Sequence, residues 1–140
     1  MADWRLFYQR LDPAHREWAS VLASEWRQTG HLAELGEDDA SLLLRARSAL
    51  AERPVIARLV LDAEAMPVLE IPVRTWQALF GEDEAERLLA PLAAIEEAEI
   101  EQGRTLWRLF RPAHLSGPAQ KRLRDWLMDV GWRLRDAAPR

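Results

Sequence analysis

The chain has 140 residues, of which 49% are hydrophobic, and its formal net charge is −4. This length and apolar content can build one hydrophobic core but hardly two, so we expect a single domain over residues 1–140. The absence of cysteine excludes disulfide frameworks, cysteine-rich zinc sites and thiol nucleophiles, and it is typical of a reducing, cytoplasmic environment. The first residues lack a signal-peptide pattern and no apolar run approaches the roughly 18 residues of a membrane span, so we expect no membrane association.

Charge is divided unevenly along the chain. Residues 1–103 hold 10 Arg against 20 Asp and Glu, a net charge of −10, whereas residues 104–140 hold 9 basic and 3 acidic residues, a net charge of +6. Two explanations are open: the basic end folds against the acidic body and neutralises it, or it forms an interaction surface. Lys121 is the single lysine among the 19 basic residues, which, with the many Ala and Leu, favours a bacterial or phage origin.

The clearest local structure is a β-hairpin with strands over residues 55–62 and 66–73. A three-residue turn between them places apolar side chains opposite each other on one face of the hairpin. On the other face the same register places Arg58 opposite Glu70, an attractive cross-strand pair. Because both faces make chemical sense in one register, the sequence predicts this pairing.

Two further segments are candidates for extending the hairpin into a larger sheet. Residues 3–10 and 104–111 alternate well enough to be strands, although the same residue types are also tolerated in helices. Pro67 and Pro72 cannot donate ladder hydrogen bonds, so we expect the second hairpin strand at an edge of the sheet or bulged.

Four segments show the 3.6-residue periodicity and the end signals of helices. In the first, Asp12 and Pro13 form a cap and first turn, and Gly30 stops the helix. In the third, we expect Pro91 to kink or divide the helix. We therefore predict an α+β fold, a small antiparallel sheet packed with four to five helices. The helical segments are 12–30, 36–54, 81–103 and 118–136, the last with Ser116 as its cap.

Recognisable catalytic chemistry is missing from the sequence. There is no glycine-rich phosphate loop, nucleophile elbow or zinc-protease motif. The histidines are His15, His31 and His114, of which only His31 has a local acidic partner, Glu34, and two ligands are too few for a metal ion. We predict no catalytic residue, no cofactor and no metal site, and a non-catalytic protein.

The last helix separates its residues into two faces. An apolar stripe faces the body of the protein, formed by Ala119, Leu123, Trp126, Leu127, Val130 and Leu134. Opposite the stripe lies Trp132, with Met128 one turn before it. Two environments for Trp132 are open: another element, such as the N-terminal segment, covers it, or it lies in solvent. Trp, Met and Arg are enriched in protein interfaces, so for an exposed Trp132 we predict a partner-binding patch on this outer face. The predicted patch consists of Trp132, Met128, Lys121, Arg124 and Arg135.

Two kinds of partner fit this patch. A protein partner or a second copy of the chain would use Trp132 and Met128 as an apolar anchor with arginines around them. A nucleic acid would place phosphates on the basic residues and stack an unpaired base on Trp132. Because acidic residues interrupt the patch and the body carries −10, we favour a small interaction or regulatory protein that binds another protein. A phage- or immunity-type inhibitor is one such protein, suggested by small size, acidity and tryptophan content; a nucleic-acid-binding regulator is the alternative.

Overall fold

The computed structural model describes residues 3–36, 40–47 and 53–137, and it confirms the predicted α+β fold. Five α-helices and six strands lie in these ranges, with a short 3₁₀ turn at Pro112–His114. The helices are α1 (Trp4–Arg10), α2 (Pro13–Gln28), α3 (Val73–Phe80), α4 (Glu82–Ala93) and α5 (Gly117–Ala137). The strands are β1 (Leu32–Leu35), β2 (Ser41–Arg45), β3 (Val55–Leu61), β4 (Pro67–Pro72), β5 (Ile100–Gln102) and β6 (Leu106–Phe110).

The six strands form one antiparallel sheet in the order β1-β2-β3-β4-β6-β5. Strands β3 and β4 are the predicted hairpin in the predicted register, with Leu59 opposite Leu69 and Arg58 opposite Glu70. Strand β6 lies within the segment 104–111 and pairs with β4, so this segment extends the sheet as predicted.

The two faces of the sheet differ in chemistry. One face is apolar: Leu42, Leu59, Leu69 and Leu109 follow one another across four strands and are at most 1% exposed. The opposite face carries alternating charges. There Glu70 accepts a hydrogen bond from Arg58 at 2.6 Å and lies 3.6 Å from Arg108, whose guanidinium is 4.0 Å from Glu101. The first face therefore packs into the core, whereas the other combines this charge network with apolar residues such as Val60 and Val68.

Two segments differ from the predicted secondary structure. Residues 3–10 do not extend the sheet: Asp3 caps helix α1 by accepting hydrogen bonds from the Arg5 and Leu6 N–H groups, and Phe7 is fully buried. The helix predicted over 36–54 is wrong at Ser41–Arg45, which is strand β2. Three consecutive leucines hide the period-two alternation that distinguishes such a strand from a helix. Residues 37–39 and 48–52 of that predicted helix lie outside the described residues.

The prediction of an edge or bulged strand for β4 is wrong: β4 lies in the middle of the sheet, between β3 and β6, and pairs with both without a register shift. Its prolines are the first and last residues of the strand, so the four residues between them keep their N–H groups for the ladder. The helix predicted over 81–103 is shorter than expected, because α4 ends at Ala93, two residues after Pro91. The chain then forms the edge strand β5.

Helix α5 docks on the body through the predicted apolar stripe. Ala119, Leu123, Leu127 and Val130 are at most 1% exposed. Trp126 stacks on Trp76 with ring centroids 5.4 Å apart, and its indole N–H donates to the Leu88 carbonyl oxygen of α4 at 2.6 Å. The predicted cap is also present, since Ser116 Oγ accepts a hydrogen bond from the Ala119 N–H. Within the described part of the chain, no helix combines the length and apolarity needed to cross a membrane.

Candidate protein-binding surface

Trp132 is the most exposed tryptophan of the seven in the chain. Its side chain is 45% exposed, whereas the other six are buried or half-buried. Among the described residues, Leu6 is the other large hydrophobic residue that is exposed, at 39%. Burying an aromatic side chain stabilises a fold more than burying almost any other side chain does. A tryptophan that is left partly in solvent therefore marks a surface to test for binding.

The position of Trp132 is fixed by the preceding residue, Gly131. A Cβ atom at Gly131 would lie 2.8 Å from Thr29 Oγ1 and 3.0 Å from the Trp26 ring of helix α2. Glycine therefore allows α5 to approach the end of α2 more closely than any other residue would. The Gly131 carbonyl oxygen also accepts a hydrogen bond at 2.7 Å from Nε2 of His31, just before β1.

His31 is a buried, neutral part of this junction. Its Nδ1 accepts a hydrogen bond from the Arg47 N–H at 3.0 Å, so the proton of the neutral ring is on Nε2, which donates to Gly131. Burial lowers the pKa of His31; the bond to Gly131 opposes this, while nearby Arg135 and Arg47 lower the pKa further. The ring also stacks on Trp26, with centroids 5.0 Å apart. His31 thus ties α5 to the start of the sheet.

Between α2 and α5 a shallow groove of about 240 Å³ opens beside Trp132. We call it the Trp132 groove. Met128 and Trp132 form its apolar side on α5, and the facing side comes from the last turns of α2. Among the described residues, the lining consists of Glu25, Gln28, Thr29, Asp125, Met128 and Trp132.

The structure brings together three of the five residues of the predicted patch. Trp132 and Met128 share the groove, and the Arg135 guanidinium lies over the Trp132 ring, 5.3 Å from its centroid, as a cation–π pair. Lys121 does not line the groove, but its Nζ lies 2.9 Å from Oδ2 of Asp125, which does. Arg124 is half-buried and does not line the groove.

The charges that line the groove differ from the predicted rim of arginines. Glu25 and Asp125 are its charged lining residues, and both are acidic. The α2 residues were missed because helix α2 shows only its buried tryptophan stripe as a clear sequence signal. Long-range packing decides which helix lies beside the outer face of α5, so no local sequence pattern predicts it.

A second cluster of polar groups ties α2 to the 3₁₀ turn. Asp12, His15 and His114 place potential metal-ligand atoms within 4.8 Å of one another. However, His15 Nε2 accepts a hydrogen bond from the Ala113 N–H, so its proton is on Nδ1, which donates to Asp12 Oδ1 at 2.6 Å. The buried His15 ring therefore has no free lone pair for a metal ion, and this bonding favours a structural role.

The pKa values in this cluster agree with that role. Burial lowers the pKa of His15, although its hydrogen bond to Asp12 opposes the shift. Burial disfavours the charged form of Asp12, but hydrogen bonds with His114 and His15 outweigh it and lower the pKa of Asp12. At neutral pH the cluster thus combines an ionised Asp12 with a neutral His15.

Comparison with known proteins adds no functional information for this chain. A scan of family models, a search of curated proteins and a search of solved structures each found no match.

Proposed function

We propose that this protein is a small, non-catalytic interaction or regulatory protein that binds a protein partner through the Trp132 groove. The observation that carries the proposal is the exposed Trp132 beside Met128 in a groove between two helices. Tryptophan is enriched among the few residues that dominate binding energy, and a partner side chain entering the groove would bury the ring. A phage- or immunity-type inhibitor remains one form of this proposal.

The ion pairs of α5 favour a protein over a nucleic acid as the partner. Lys121 pairs with Asp125, Arg133 lies 3.3 Å from Glu84, and Arg135 rests on Trp132. A nucleic acid binds through cations that contact its phosphates and displace their counterions. Here three cations already contact carboxylates or an aromatic ring. Phosphates at the Trp132 groove would also meet its acidic lining.

The test replaces Trp132 with Ala and compares it with Leu6→Ala, which removes the other exposed large hydrophobic residue. Wild type and both variants are used to capture partners from lysates of the native host, with and without nuclease treatment. Affinity for a recovered partner is then measured by calorimetry. We expect Trp132→Ala to weaken binding by about 2 kcal/mol, about thirtyfold in Kd, and to leave the melting temperature nearly unchanged.

Two results would contradict the proposal. If Trp132→Ala binds the partner as tightly as wild type does, or if Leu6→Ala weakens binding equally, the Trp132 groove is not the binding site. If capture disappears after nuclease treatment and binding weakens steeply with salt, the nucleic-acid alternative is correct.

A further inference from the structure

A larger groove lies between α3, α4 and strand β6. Its volume is about 520 Å³, within the range of ligand-binding clefts. Val73 and Leu89 give it an apolar floor, and Trp107 of β6 is an aromatic wall. We call it the Trp107 groove.

Carboxylates supply all the charged side chains that line this groove: Glu82, Asp83 and Glu86 of helix α4. Glu82 and Asp83 lie in the first turn of α4, where they complement the helix dipole, but Glu86 lies beyond it. Among the described residues, none of the three has a cation within ion-pair distance. In contrast, Glu84 of the same helix pairs with Arg87 and Arg133.

The Trp107 groove is separate from the surface on α5. Glu84 and Leu88 face α5, where they contact Arg133 and Trp126 respectively. Asp83, Glu86 and Leu89 instead line the groove, on another side of α4. A ligand can therefore occupy the Trp107 groove without touching the Trp132 groove, and each site can be tested alone.

We propose that the Trp107 groove binds a basic segment of a protein partner and seats an arginine side chain. The aliphatic stem of the arginine would pack on the apolar floor, and its guanidinium would meet the carboxylates and the Trp107 ring. Arginine suits this site because its planar cation both stacks on aromatic rings and forms paired hydrogen bonds with carboxylates. The chain itself stacks arginine on aromatic rings at Trp4, Phe110 and Trp132.

The test uses two short peptides of equal shape, acetyl-Arg-Leu-Arg-amide and its citrulline counterpart, in which a neutral urea replaces each guanidinium. Binding to the full chain is followed through the indole N–H signal of Trp107 in a ¹H–¹⁵N NMR spectrum, assigned with Trp107→Phe. The test variant is Asp83→Asn with Glu86→Gln, which keeps the shape of the groove. Its control is Glu96→Gln with Glu99→Gln, which removes the same charge from exposed residues that do not line the groove.

We expect the arginine peptide to shift the Trp107 signal and the citrulline peptide to bind at least about tenfold more weakly. The test variant should lose a similar factor, and both the control and Trp132→Ala should bind like wild type. Equal binding of the two peptides, an unaffected test variant, or no shift at Trp107 up to the solubility limit would overturn the proposal. If spermine binds as tightly as the arginine peptide, the groove takes a small polyamine and the proposal of a protein partner fails. Because Trp132 is not involved, these results are independent of the function proposed above.

Discussion

Replacing Gly131 with Ala tests whether α5 lies as close to α2 as the Trp132 groove requires. In an exposed helix this change stabilises, because Gly costs about 0.5–1 kcal/mol relative to Ala. Here the added methyl group would meet Thr29 Oγ1 at 2.8 Å and the Trp26 ring at 3.0 Å. Overpacking of this kind costs about 1–3 kcal/mol, so the two effects oppose each other.

The clash should win, because Trp26 is fully buried and cannot turn away into solvent. We expect a net loss of about 1–2 kcal/mol in the free energy of unfolding, measured by urea denaturation followed by circular dichroism. Gly117→Ala is the matched control. It lies at the start of the same helix, and a Cβ there meets no atom within 4 Å, so its stability should stay within about 0.5 kcal/mol of wild type.

A double-mutant cycle identifies the contact responsible. Thr29→Ala removes Oγ1, the nearest atom to the new methyl group, so Gly131→Ala should cost less in that background than in the wild type. The coupling between the two changes should be at least about 0.5 kcal/mol. If Gly131→Ala is instead as stable as wild type or more so, α5 does not approach Thr29 this closely. The geometry of the Trp132 groove would then also be wrong.

Two further predictions concern stability. Leu127→Ala should destabilise the protein by about 2–5 kcal/mol in the same titration, since this side chain is fully buried in the apolar stripe of α5. A loss below about 0.5 kcal/mol would show that α5 is not anchored there. Stability should also fall as the pH drops below about 6.5, because burial lowers the pKa of His15 and of His31 and the unfolded chain therefore takes up protons first. Urea midpoints that stay constant between about pH 7.5 and pH 5 would contradict the buried, neutral histidines.

The sequence predicts those parts of the fold that depend on neighbouring residues. The register of β3 and β4 follows from matching charges and apolar side chains, and the stripe of α5 follows from its period. Strand β2 cannot be predicted in this way, because Leu43 interrupts the alternation of apolar and polar residues. The local signal for helix α1 is also weak, since it consists of a single cap at Asp3. Whether each of these two segments forms a strand or a helix depends on which of its side chains the core buries.

The same distinction applies to the candidate site. The sequence places Trp132 and Met128 on one face of α5, because helical geometry alone decides that. Glu25 of α2 lies beside them only because the two helices cross closely at Gly131. In the sequence, a glycine in the middle of a helix indicates only a lower helix propensity. A long-range contact gives this glycine its role.

The uneven charge of the chain has a structural consequence for the proposed partners. Two cations of the basic end pair with carboxylates of the acidic body: Arg108 with Glu70 and Glu101, and Arg133 with Glu84. At these positions the basic end folds against the acidic body and neutralises it, which is one of the two explanations for the uneven charge. Within the described ranges, the charged residues that line the Trp132 and Trp107 grooves are acidic, and each groove also contains a tryptophan. In the Trp132 groove a cation is already present on each side, since Arg135 stacks on the ring and Lys121 pairs with Asp125. The carboxylates of the Trp107 groove have no such partner among the described residues, so this groove is the one that favours a basic contact surface on a partner.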